Sequence, residues 1–416
     1  MIRSNALTRW VAAMTGVLAI WAGAAHAGDA DQHVKHVFVI ALENKNYEDT
    51  FGPDTQAKYL NGTLRPLGAH LTQYFATGHM SLDNYLSMIS GQPETLQTQG
   101  DCPVFADFKQ TGTSPEGLPI GDGCIYPATV KTLPDQLAAK GLQWRGYMED
   151  MGNDPSRESP ACGHPPLDAR DPSQSPEAPS TAVPQGDQYA TRHNPFMYFH
   201  SIIDSPASCT DHVVRLDKLV ADLATVATTP NFSFITPNLC NDGHDGDGKG
   251  TPGKRCANGE PGGLTSADAF LKSWVPKIMA SPAYQQDGLI IITFDESNYA
   301  SLERHAGDAG RTIVTAKFLG QACCGQHHGP NVTRPFEEVF HASPTLDYKL
   351  VMVGPGGDRT GAVLLSPFIK PGTVSDTPYN HYSMLKSLET IFGTAEFLGY
   401  ANQPGLATFG SDIFAN

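Results

Sequence analysis

Two apolar segments that lie far apart in the sequence each end in two side chains that offer oxygen or amide ligands. The segments are residues 37–42 and 289–294, and their Val, Ile and Phe content is typical of strands buried on both faces of a parallel sheet. The side chains that follow them are Glu43, Asn44, Asp295 and Glu296. Because ligands of open α/β sheets gather beyond the carboxyl ends of strands, we expect these four side chains to converge on a divalent cation. The alternative is that charged residues end a strand simply because the chain meets water.

A serine opens the helix that the sequence predicts over residues 81–90. Apolar side chains recur there at helical spacing, and Gly91 is a typical helix end. Ser81 would then cap the helix, which is the ordinary role of serine at this position. Backbone N–H groups at a helix start also favour an anion beside the hydroxyl, so Ser81 is a candidate nucleophile as well. The nearby His79 and Asn84 offer polar groups that can hold oxygen atoms of a substrate.

A loop rich in Asp, Asn and Gly follows the strand predicted over residues 232–236. Its oxygen ligands and glycines do not have the spacing of an EF-hand. We expect Asp242 and Asp247 to lie in a solvated turn. His244 and Asp245 are better candidates for a functional site, because they follow a predicted strand by a short loop.

Another histidine, His381, precedes the helix predicted over residues 382–392. Its side chain is a candidate metal ligand, general acid or hydrogen-bonded residue near the helix start, since the unperturbed pKa of histidine suits proton transfer near neutral pH. Residues 323–328 place two cysteines close to two histidines, but their spacing matches no common structural zinc site. His327 and His328 remain candidates to face the main site.

The N-terminus has the features of an export signal. Arg3 and Arg9 come before an apolar stretch over residues 10–24, and residues 25–27 fit an A-x-A cleavage site. We therefore expect residues 1–27 to be removed as a signal peptide, leaving residues 28–416 as a single domain that is periplasmic or secreted.

The chain is strongly acidic. The formal net charge of the 416 residues is −15, and it becomes −17 without the two arginines of the signal. This charge argues against electrostatic recruitment to nucleic acid or to anionic membranes. An anionic substrate is still compatible with it, because a bound cation reverses the local field. No later segment is apolar enough over the roughly 20 residues needed to cross a bilayer, so no stable membrane insertion is expected.

All eight cysteines follow the signal, which indicates disulfides in an exported chain. Proximity in sequence suggests three pairs: Cys102 with Cys124, Cys162 with Cys209, and Cys240 with Cys256. Cys323 and Cys324 are adjacent, and a bond between them would be strained, so we expect separate partners or free thiols there.

The order of apolar segments predicts an α/β fold with a central, mostly parallel sheet and helices on both faces. Strands are predicted over residues 37–42, 232–236, 289–294, 349–353 and 362–365. Helices are predicted over residues 81–90, 132–140, 211–225, 266–279 and 382–392. Residues 93–130 and 152–188 are rich in turn-forming residues and should be loops that border the site. A disordered linker is an equal alternative for residues 165–188.

Five blocks of the chain, taken in order, resemble the bacterial phosphoesterase family of acid phosphatases and phospholipases C, a branch of the alkaline phosphatase-like superfamily. The blocks are HVFVIALENKNYEDTFG (36–52), TGHMSLDNYLSMISGQ (77–92), PNLCNDGHD (237–245), TFDES (293–297) and GAVLLSPFIKPGTVSDTPYNHYSMLKSLETIFG (361–393). Together they span nearly the whole chain that follows the signal.

The resemblance implies an alkaline phosphatase-like fold with long loop insertions and a site that holds a divalent metal cation. The residues it implies around the metal are Glu43, Asn44, Asp295, Glu296 and Ser81. It also implies that Ser81 is the nucleophile, which becomes phosphorylated and is then regenerated by water. Candidates to hold phosphoryl oxygens or to protonate the leaving group are His79, His244 and His381. Candidates to bind the substrate are Asn84 and Asp245.

The first block and Ser81 resemble the acid phosphatases, because phospholipase C members typically read ENRSFDHYFG and use a threonine nucleophile. The resemblance therefore implies hydrolysis of phosphate monoesters on small molecules or lipids, including phosphoinositide head groups. Two alternatives are a phospholipase C that cleaves phosphatidyl diesters and an inactive exported metal-binding protein. Glu296 departs from the pattern, since some relatives carry two aspartates there and the extra methylene moves the carboxylate. It is therefore either a direct ligand or a residue that supports the ligands.

Overall fold

The computed structural model of the protein describes residues 33–414, so the predicted signal segment lies outside the described residues. The strands in this range are β1 (His36–Leu42), β2 (Ala69–Leu71), β3 (Tyr74–Phe75), β4 (Val104–Phe105), β5 (Lys109–Thr113), β6 (Pro119–Asp122), β7 (Trp144–Met148), β8 (Ala169–Arg170), β9 (Val213–Arg215), β10 (Phe232–Thr236), β11 (Gly288–Phe294), β12 (Ser301–Ala306), β13 (Thr312–Phe318), β14 (Phe336–Ser343), β15 (Leu346–Met352), β16 (Ala362–Leu365), β17 (Thr373–Ser375) and β18 (Tyr379–Asn380).

Along the chain, most of the helices come between strands of the central sheet. They are α1 (Tyr47–Phe51), α2 (Arg65–Leu67), α3 (Ser81–Ser90), α4 (Leu133–Ala139), α5 (His200–Ile203), α6 (Pro206–His212), α7 (Leu219–Asp222), α8 (Gly263–Met279), α9 (Pro282–Asp287) and α10 (His381–Ile391). A π-helical turn, Leu60–Leu64, leads into α2, and short 3-10 turns connect other elements. Within residues 33–414, no helix combines the length and the apolar character needed to cross a bilayer.

The central sheet has eight strands in the order β17-β2-β16-β11-β1-β10-β7-β9. Its pairings are parallel except on the two sides of β16, where that strand runs antiparallel to β11 and to β2. This arrangement confirms the predicted α/β class with a mostly parallel sheet. β1 lies between β10 and β11, so the carboxyl ends of three parallel strands meet at one edge.

The apolar sequence of β1 is explained by burial on both faces of the sheet. Val37 and Val39 pack into one core with α3, α4 and α10. Phe38 and Ile40 point to the other face and pack with α8 and the π-helical turn. Each buried aliphatic or aromatic side chain of this kind contributes about 1.5–3 kcal/mol relative to exposure, so the strand is held firmly where its end must present functional groups.

The strand predicted over residues 349–353 is part of β15, but it does not belong to the central sheet. It lies in a second, four-stranded sheet with the order β12-β13-β15-β14. This sheet is only partly covered, and Leu302 and Val339 are exposed on it. An apolar run predicts a strand, but it carries no information about which distant strand will pair with it.

The helix predicted over residues 211–225 is wrong. Helix α6 ends at His212, and the next three residues form the edge strand β9 beside β7. The β-branched pair Val213 and Val214 suits a strand better than a helix interior. A 3-10 turn, Leu216–Lys218, and the short helix α7 follow.

The structure contains the three disulfides suggested by proximity, which join Cys102 to Cys124, Cys162 to Cys209, and Cys240 to Cys256. It also joins Cys323 to Cys324, so the expectation of separate partners or free thiols was wrong. Four disulfides are typical of proteins that fold in an oxidising compartment.

The segment 165–188 packs against the body of the chain as a loop. The Ser173 hydroxyl, which is buried, lies 2.8 Å from the Thr191 hydroxyl, and the Asp187 carboxylate accepts a hydrogen bond from the Asp154 N–H at 2.8 Å. These contacts favour a bordering loop over a disordered linker.

A buried carboxyl on α10 gives a testable dependence of stability on pH. Glu389 is fully buried; its Oε1 accepts a hydrogen bond from the Leu398 N–H at 2.9 Å, and its Oε2 has no partner among residues 33–414. Burial raises the pKa of Glu389 from 4.5 to about 8. The unfolded chain releases this proton near pH 4.5 and the folded chain keeps it, so the carboxyl lowers the free energy of unfolding as pH rises between these values.

Glu389→Gln is therefore expected to stabilise the protein more at pH 8 than at pH 5, by at least about 2 kcal/mol. Thermal unfolding of the variant and the parent at both pH values measures this difference. The exposed Glu396, replaced in the same way, is the control. Equal effects of Glu389→Gln at the two pH values would contradict the prediction.

Candidate functional site

The two strand ends singled out in the sequence meet in the structure. β1 and β11 pair in parallel register, with Leu42 opposite Phe294. The N–H of Asn44 donates to Asp295 Oδ1 at 3.1 Å, and the Asn44 side-chain Nδ2 donates to Glu43 Oε2 at 3.0 Å. Asn44 has a φ of 52°, a left-handed conformation that asparagine tolerates better than most residues. This turn folds the chain back at the sheet edge and leaves the Asn44 amide oxygen available as a ligand.

Ser81 does not cap α3, contrary to the sequence prediction. It is the first helical residue, and the Leu82 N–H donates to Asp101 Oδ1 at 3.0 Å instead. The Ser81 Oγ–H is therefore free to donate to Glu43 Oε2 at 2.9 Å. Because Asp101 satisfies the helix end, the serine hydroxyl is directed at the acidic strand end.

Three side chains around this point form a cluster of converging donor atoms. Ligand atoms of Glu43, His193 and Asp242 all lie within 4.8 Å of one another, and all three residues are buried. His193 Nε2 is 3.2 Å from Glu43 Oε1, and His193 Nδ1 is 3.3 Å from Asp242 Oδ2. None of these four atoms has a hydrogen-bond partner among residues 33–414. Buried polar atoms are ordinarily hydrogen-bonded, so buried oxygen and nitrogen atoms that face one another without such bonds suit the binding of a cation.

The electrostatics of the cluster also suit a cation. Burial raises the pKa of Glu43 well above its usual range, and the nearby carboxylates of Asp295 and Asp242 raise it further. Asp295 Oδ2 is a third buried carboxylate oxygen, after those of Glu43 and Asp242, that has no partner within the described range. Carboxylate oxygens together with one imidazole are a ligand set that divalent cations accept. The positive charge of such a cation would relieve the repulsion between the carboxylates.

His193 and Asp242 escaped the sequence analysis for different reasons. His193 lies in a 3-10 turn, Thr191–His193, where no periodic pattern marks it. Asp242 was expected in a solvated turn, but it is fully buried. The Glu43 N–H donates to the Asp242 carbonyl at 2.8 Å, and the His244 N–H donates to Asp242 Oδ1 at 2.7 Å. These bonds pull the loop after β10 against the end of β1, which composition alone does not reveal.

Helix α3 also fixes the orientation of His193. The ring of Tyr85, four residues after Ser81, stacks on the His193 ring with centroids 5.1 Å apart and an interplanar angle of 8°. Residues four apart lie on the same face of a helix. One helix therefore presents the hydroxyl and supports the imidazole of the donor cluster.

Glu296 is paired with His79. The Glu296 carboxylate bonds to His79 Nδ1, and Asp358 Oδ2 lies 3.1 Å from His79 Nε2. Burial alone lowers the pKa of His79, but the carboxylates of Glu296 and Asp358 outweigh it and raise the pKa to about 9. Both ring nitrogens of the resulting imidazolium donate to carboxylates, so His79 has no N–H left for a phosphoryl oxygen.

His381 and Asn84 are likewise committed to structural hydrogen bonds. His381 Nε2 is 2.6 Å from the Asp295 carbonyl oxygen, and its Nδ1 is 3.0 Å from the Tyr74 hydroxyl. Burial lowers the pKa of His381 to about 4, so the ring is neutral and donates from Nε2. Asn84 Oδ1 accepts from the N–H groups of Thr77 and Gly78, while its Nδ2 donates to two carbonyls of the same loop. The two residues hold the strand end and the loop before Ser81.

His244 and Asp245 lie at the rim of the site. His244 Nδ1 is 2.8 Å from Asp245 Oδ1, and the side chains are 37% and 22% exposed. The His244 ring lies 6.5 Å from the His193 ring, measured between centroids. This position leaves His244 open to solvent and close to the buried donors.

The sequence of this chain is similar to that of known proteins. A model of the phosphoesterase family matches residues 67–395. The chain belongs to the phosphoesterase family. This membership confirms the family resemblance, and four of the five sequence blocks lie within the matched residues, while the block 36–52 precedes them.

Several known proteins are similar to this chain at low sequence identity. A probable acid phosphatase of Kluyveromyces lactis is 23% identical over 263 residues, which are 63% of this chain and 48% of that protein. A phosphate-repressible acid phosphatase of Penicillium chrysogenum is 26% identical over 62% of this chain and 47% of its own length. The chain thus spans about half the length of these fungal relatives. A phosphatidylinositol-3-phosphatase of Mycobacterium tuberculosis is 24% identical over 404 residues, covering 95% of this chain and 91% of the relative.

Among solved structures, a protein of the alkaline phosphatase superfamily from Vibrio parahaemolyticus is similar with a TM-score of 0.43 and 11% identity. The similarity covers 90% of this chain and 69% of that one. Human ectonucleotide pyrophosphatase/phosphodiesterase 5 gives a TM-score of 0.42 and 12% identity, with 92% of this chain and all of that chain covered.

Proposed function

We propose that this phosphoesterase family member is an exported, metal-dependent phosphatase that hydrolyses phosphate monoesters through a phosphoserine on Ser81. The observation that carries the proposal is the Ser81 Oγ–H, which is directed at Glu43 Oε2 at 2.9 Å. It lies beside the buried cluster of ligand atoms that have no hydrogen-bond partner among residues 33–414. A hydroxyl hydrogen-bonded to a carboxylate at the start of a helix is placed to act as a nucleophile. The acid phosphatases among the relatives support the choice of monoesters.

Glu43 is the proton acceptor in the first step. As Ser81 Oγ forms its bond to phosphorus, its proton passes to Glu43 Oε2 and the bond between phosphorus and the ester oxygen breaks. His244 is the proposed donor of a proton to the departing oxygen, because its Nδ1 is held by Asp245 and its ring is open to solvent. Water then attacks the phosphoserine and passes a proton to His244, which the first step left neutral. The bond between phosphorus and Ser81 Oγ breaks, inorganic phosphate leaves, and the proton held by Glu43 restores the Ser81 hydroxyl.

The residues proposed to hold a divalent cation are Glu43, His193, Asp242, Asp295, Asn44 and Ser81. When bound, the cation supplies positive charge that lowers the pKa of the serine hydroxyl and offsets the charge of the phosphoryl oxygens. For Glu296, which the resemblance left as either a ligand or a neighbour of the ligands, we propose the second role, since its pairing with His79 makes it a positioning residue beside the cation site.

The proposed substrates are small molecules or lipids that carry a phosphate monoester, with phosphoinositide head groups among them. The phosphatidylinositol-3-phosphatase relative supports the lipid, because the similarity extends over nearly the full length of both chains. The disulfides and the predicted signal support export to the periplasm or beyond the cell. Nucleic acid is not a proposed partner, given the net charge of −15.

The proposal is tested by the products that the purified protein releases. Phosphate release from p-nitrophenyl phosphate and from phosphatidylinositol 3-phosphate is compared with diacylglycerol release from phosphatidylcholine. We expect phosphate to be the dominant product and a chelator to stop its release. Diacylglycerol as the dominant product would instead identify a phospholipase C, and the absence of any product would favour an inactive binding protein.

A further inference from the structure

An arginine next to the donor cluster has a buried N–H group that finds no acceptor among the described residues. Arg192 immediately precedes His193 in the 3-10 turn, and it is only 5% exposed. Its Nη1 is buried and has no hydrogen-bond acceptor among residues 33–414. A buried guanidinium N–H without an acceptor is costly, because the group has lost water and gained nothing in return.

One ion pair places the Arg192 side chain near Ser81. Its Nε is 3.6 Å from Asp101 Oδ2, while Asp101 Oδ1 accepts a hydrogen bond from the N–H of the residue after Ser81. The next residue along the chain, His193, lies 3.2 Å from Glu43, the hydrogen-bond acceptor of the Ser81 hydroxyl. The guanidinium therefore lies at the start of α3, where Ser81 is the first helical residue and the nucleophile of the proposed reaction.

The ion pair with Asp101 does not explain the whole side chain. It engages the Nε edge at a distance longer than a normal hydrogen bond, and it leaves Nη1 without a partner in the part of the chain that the structure describes. A contrast is Arg334, another buried arginine. Its Nε, Nη1 and Nη2 donate to Gly354 O, Gln99 Oε1 and Glu94 Oε1 at 3.0, 3.1 and 3.2 Å. Arg334 has the contacts of a structural ion pair, whereas Arg192 keeps a donor free beside the nucleophile.

We infer that Arg192 binds a non-bridging oxygen of the substrate phosphoryl group and thereby selects phosphate monoesters over diesters. The fixed fork of N–H groups in a guanidinium matches the oxygens of a phosphate. A monoester carries up to two negative charges on these oxygens, and a diester carries one and presents a bulky substituent in place of the other. This inference rests on the proposed phosphatase function and names the group that decides the substrate class.

The test is the binding of inorganic phosphate to the protein as purified, measured by calorimetry, together with kinetics on p-nitrophenyl phosphate and bis(p-nitrophenyl) phosphate. Arg192→Met is expected to weaken phosphate binding about 10- to 100-fold. It is also expected to reduce kcat/KM for the monoester by a larger factor than for the diester. Arg192→Lys keeps a positive charge near Asp101, so its phosphate affinity should lie between that of the parent and that of Arg192→Met. It provides a second variant if the Arg192→Met protein does not fold.

Arg334→Met is the matched control, because it also removes one arginine from a buried ion pair. It should lower the melting temperature while leaving phosphate affinity unchanged. Phosphate affinity within twofold of the parent in folded Arg192→Met protein would overturn the inference and reduce Arg192 to a support for Asp101. If that protein does not fold, parental phosphate affinity together with a parental ratio of monoester to diester kcat/KM in Arg192→Lys protein would overturn it. Failure of the parent protein to hydrolyse any ester would defeat the proposed function instead, and phosphate binding would still report on Arg192.

Discussion

Ser81→Ala is expected to lower kcat for p-nitrophenyl phosphate by at least about 1,000-fold while the protein stays folded. The substitution removes the only atom that can form the phosphoserine, and it takes the hydroxyl away from Glu43 Oε2. The effect on stability should be small, because Asp101 satisfies the start of α3 and no helix cap is lost. Steady-state kinetics and thermal unfolding on the same preparation measure the two effects.

The control is Ser90→Ala at the other end of the same helix. Ser90 is also buried, and its hydroxyl donates to the Leu86 carbonyl at 2.6 Å, away from the acidic strand ends. This variant should keep the activity of the parent. A second check is covalent: brief acid quenching of the parent with a phosphorylated substrate should leave phosphate on Ser81, and full activity of Ser81→Ala would rule out the serine as nucleophile.

Asp242→Asn is expected to weaken binding of the activating divalent cation by about 10- to 100-fold and to lower activity with it. The change removes one negative charge and one oxygen donor from the cluster with Glu43 and His193, and it adds an N–H group that repels a cation. Metal-free protein titrated with Mn²⁺ or Ca²⁺ gives the affinity directly. The backbone contacts that hold Asp242 involve its carbonyl and Oδ1, both of which asparagine retains.

Glu296→Gln, compared with Asp242→Asn, tests whether Glu296 is itself a metal ligand or only lies next to the ligands. It also removes one buried carboxylate charge from this edge of the sheet, but that carboxylate bonds to His79. Its metal affinity should stay within about threefold of the parent, since no donor of the cluster is lost. A loss as large as that of Asp242→Asn would return Glu296 to the set of ligands that the sequence resemblance implies.

The sequence predicted the strands and the helix whose pattern of apolar residues can be recognised without knowledge of the rest of the chain. The runs that became β1, β10 and β11 are apolar at every position, and Ser81–Ser90 has a helical spacing of apolar residues that ends at Gly91. The convergence of Glu43 and Asp295 followed from these runs, because neighbouring parallel strands end at the same edge.

The residues that completed the cluster depend on packing between distant segments. His193 comes from a turn whose composition resembles many loops, and its place beside Glu43 is set by the stacking of Tyr85. Asp242 lies among glycines and aspartates that indicate solvent, yet its backbone bond to Glu43 draws it inside. His381 had a chemically reactive side chain in the right block, but the Asp295 carbonyl and the Tyr74 hydroxyl occupy both of its nitrogens.

The central position of β1 has a consequence for how this protein is made. The first strand of the sheet is synthesised early, but its two neighbours, β10 and β11, come roughly 200 and 250 residues later along the chain. Until they arrive, a strand that is apolar on both faces has no partner, and it must be kept from pairing with other chains. The proposed cation site is therefore complete only after the chain has been made as far as Asp295, and a fragment that lacks the last third of the sequence lacks this residue.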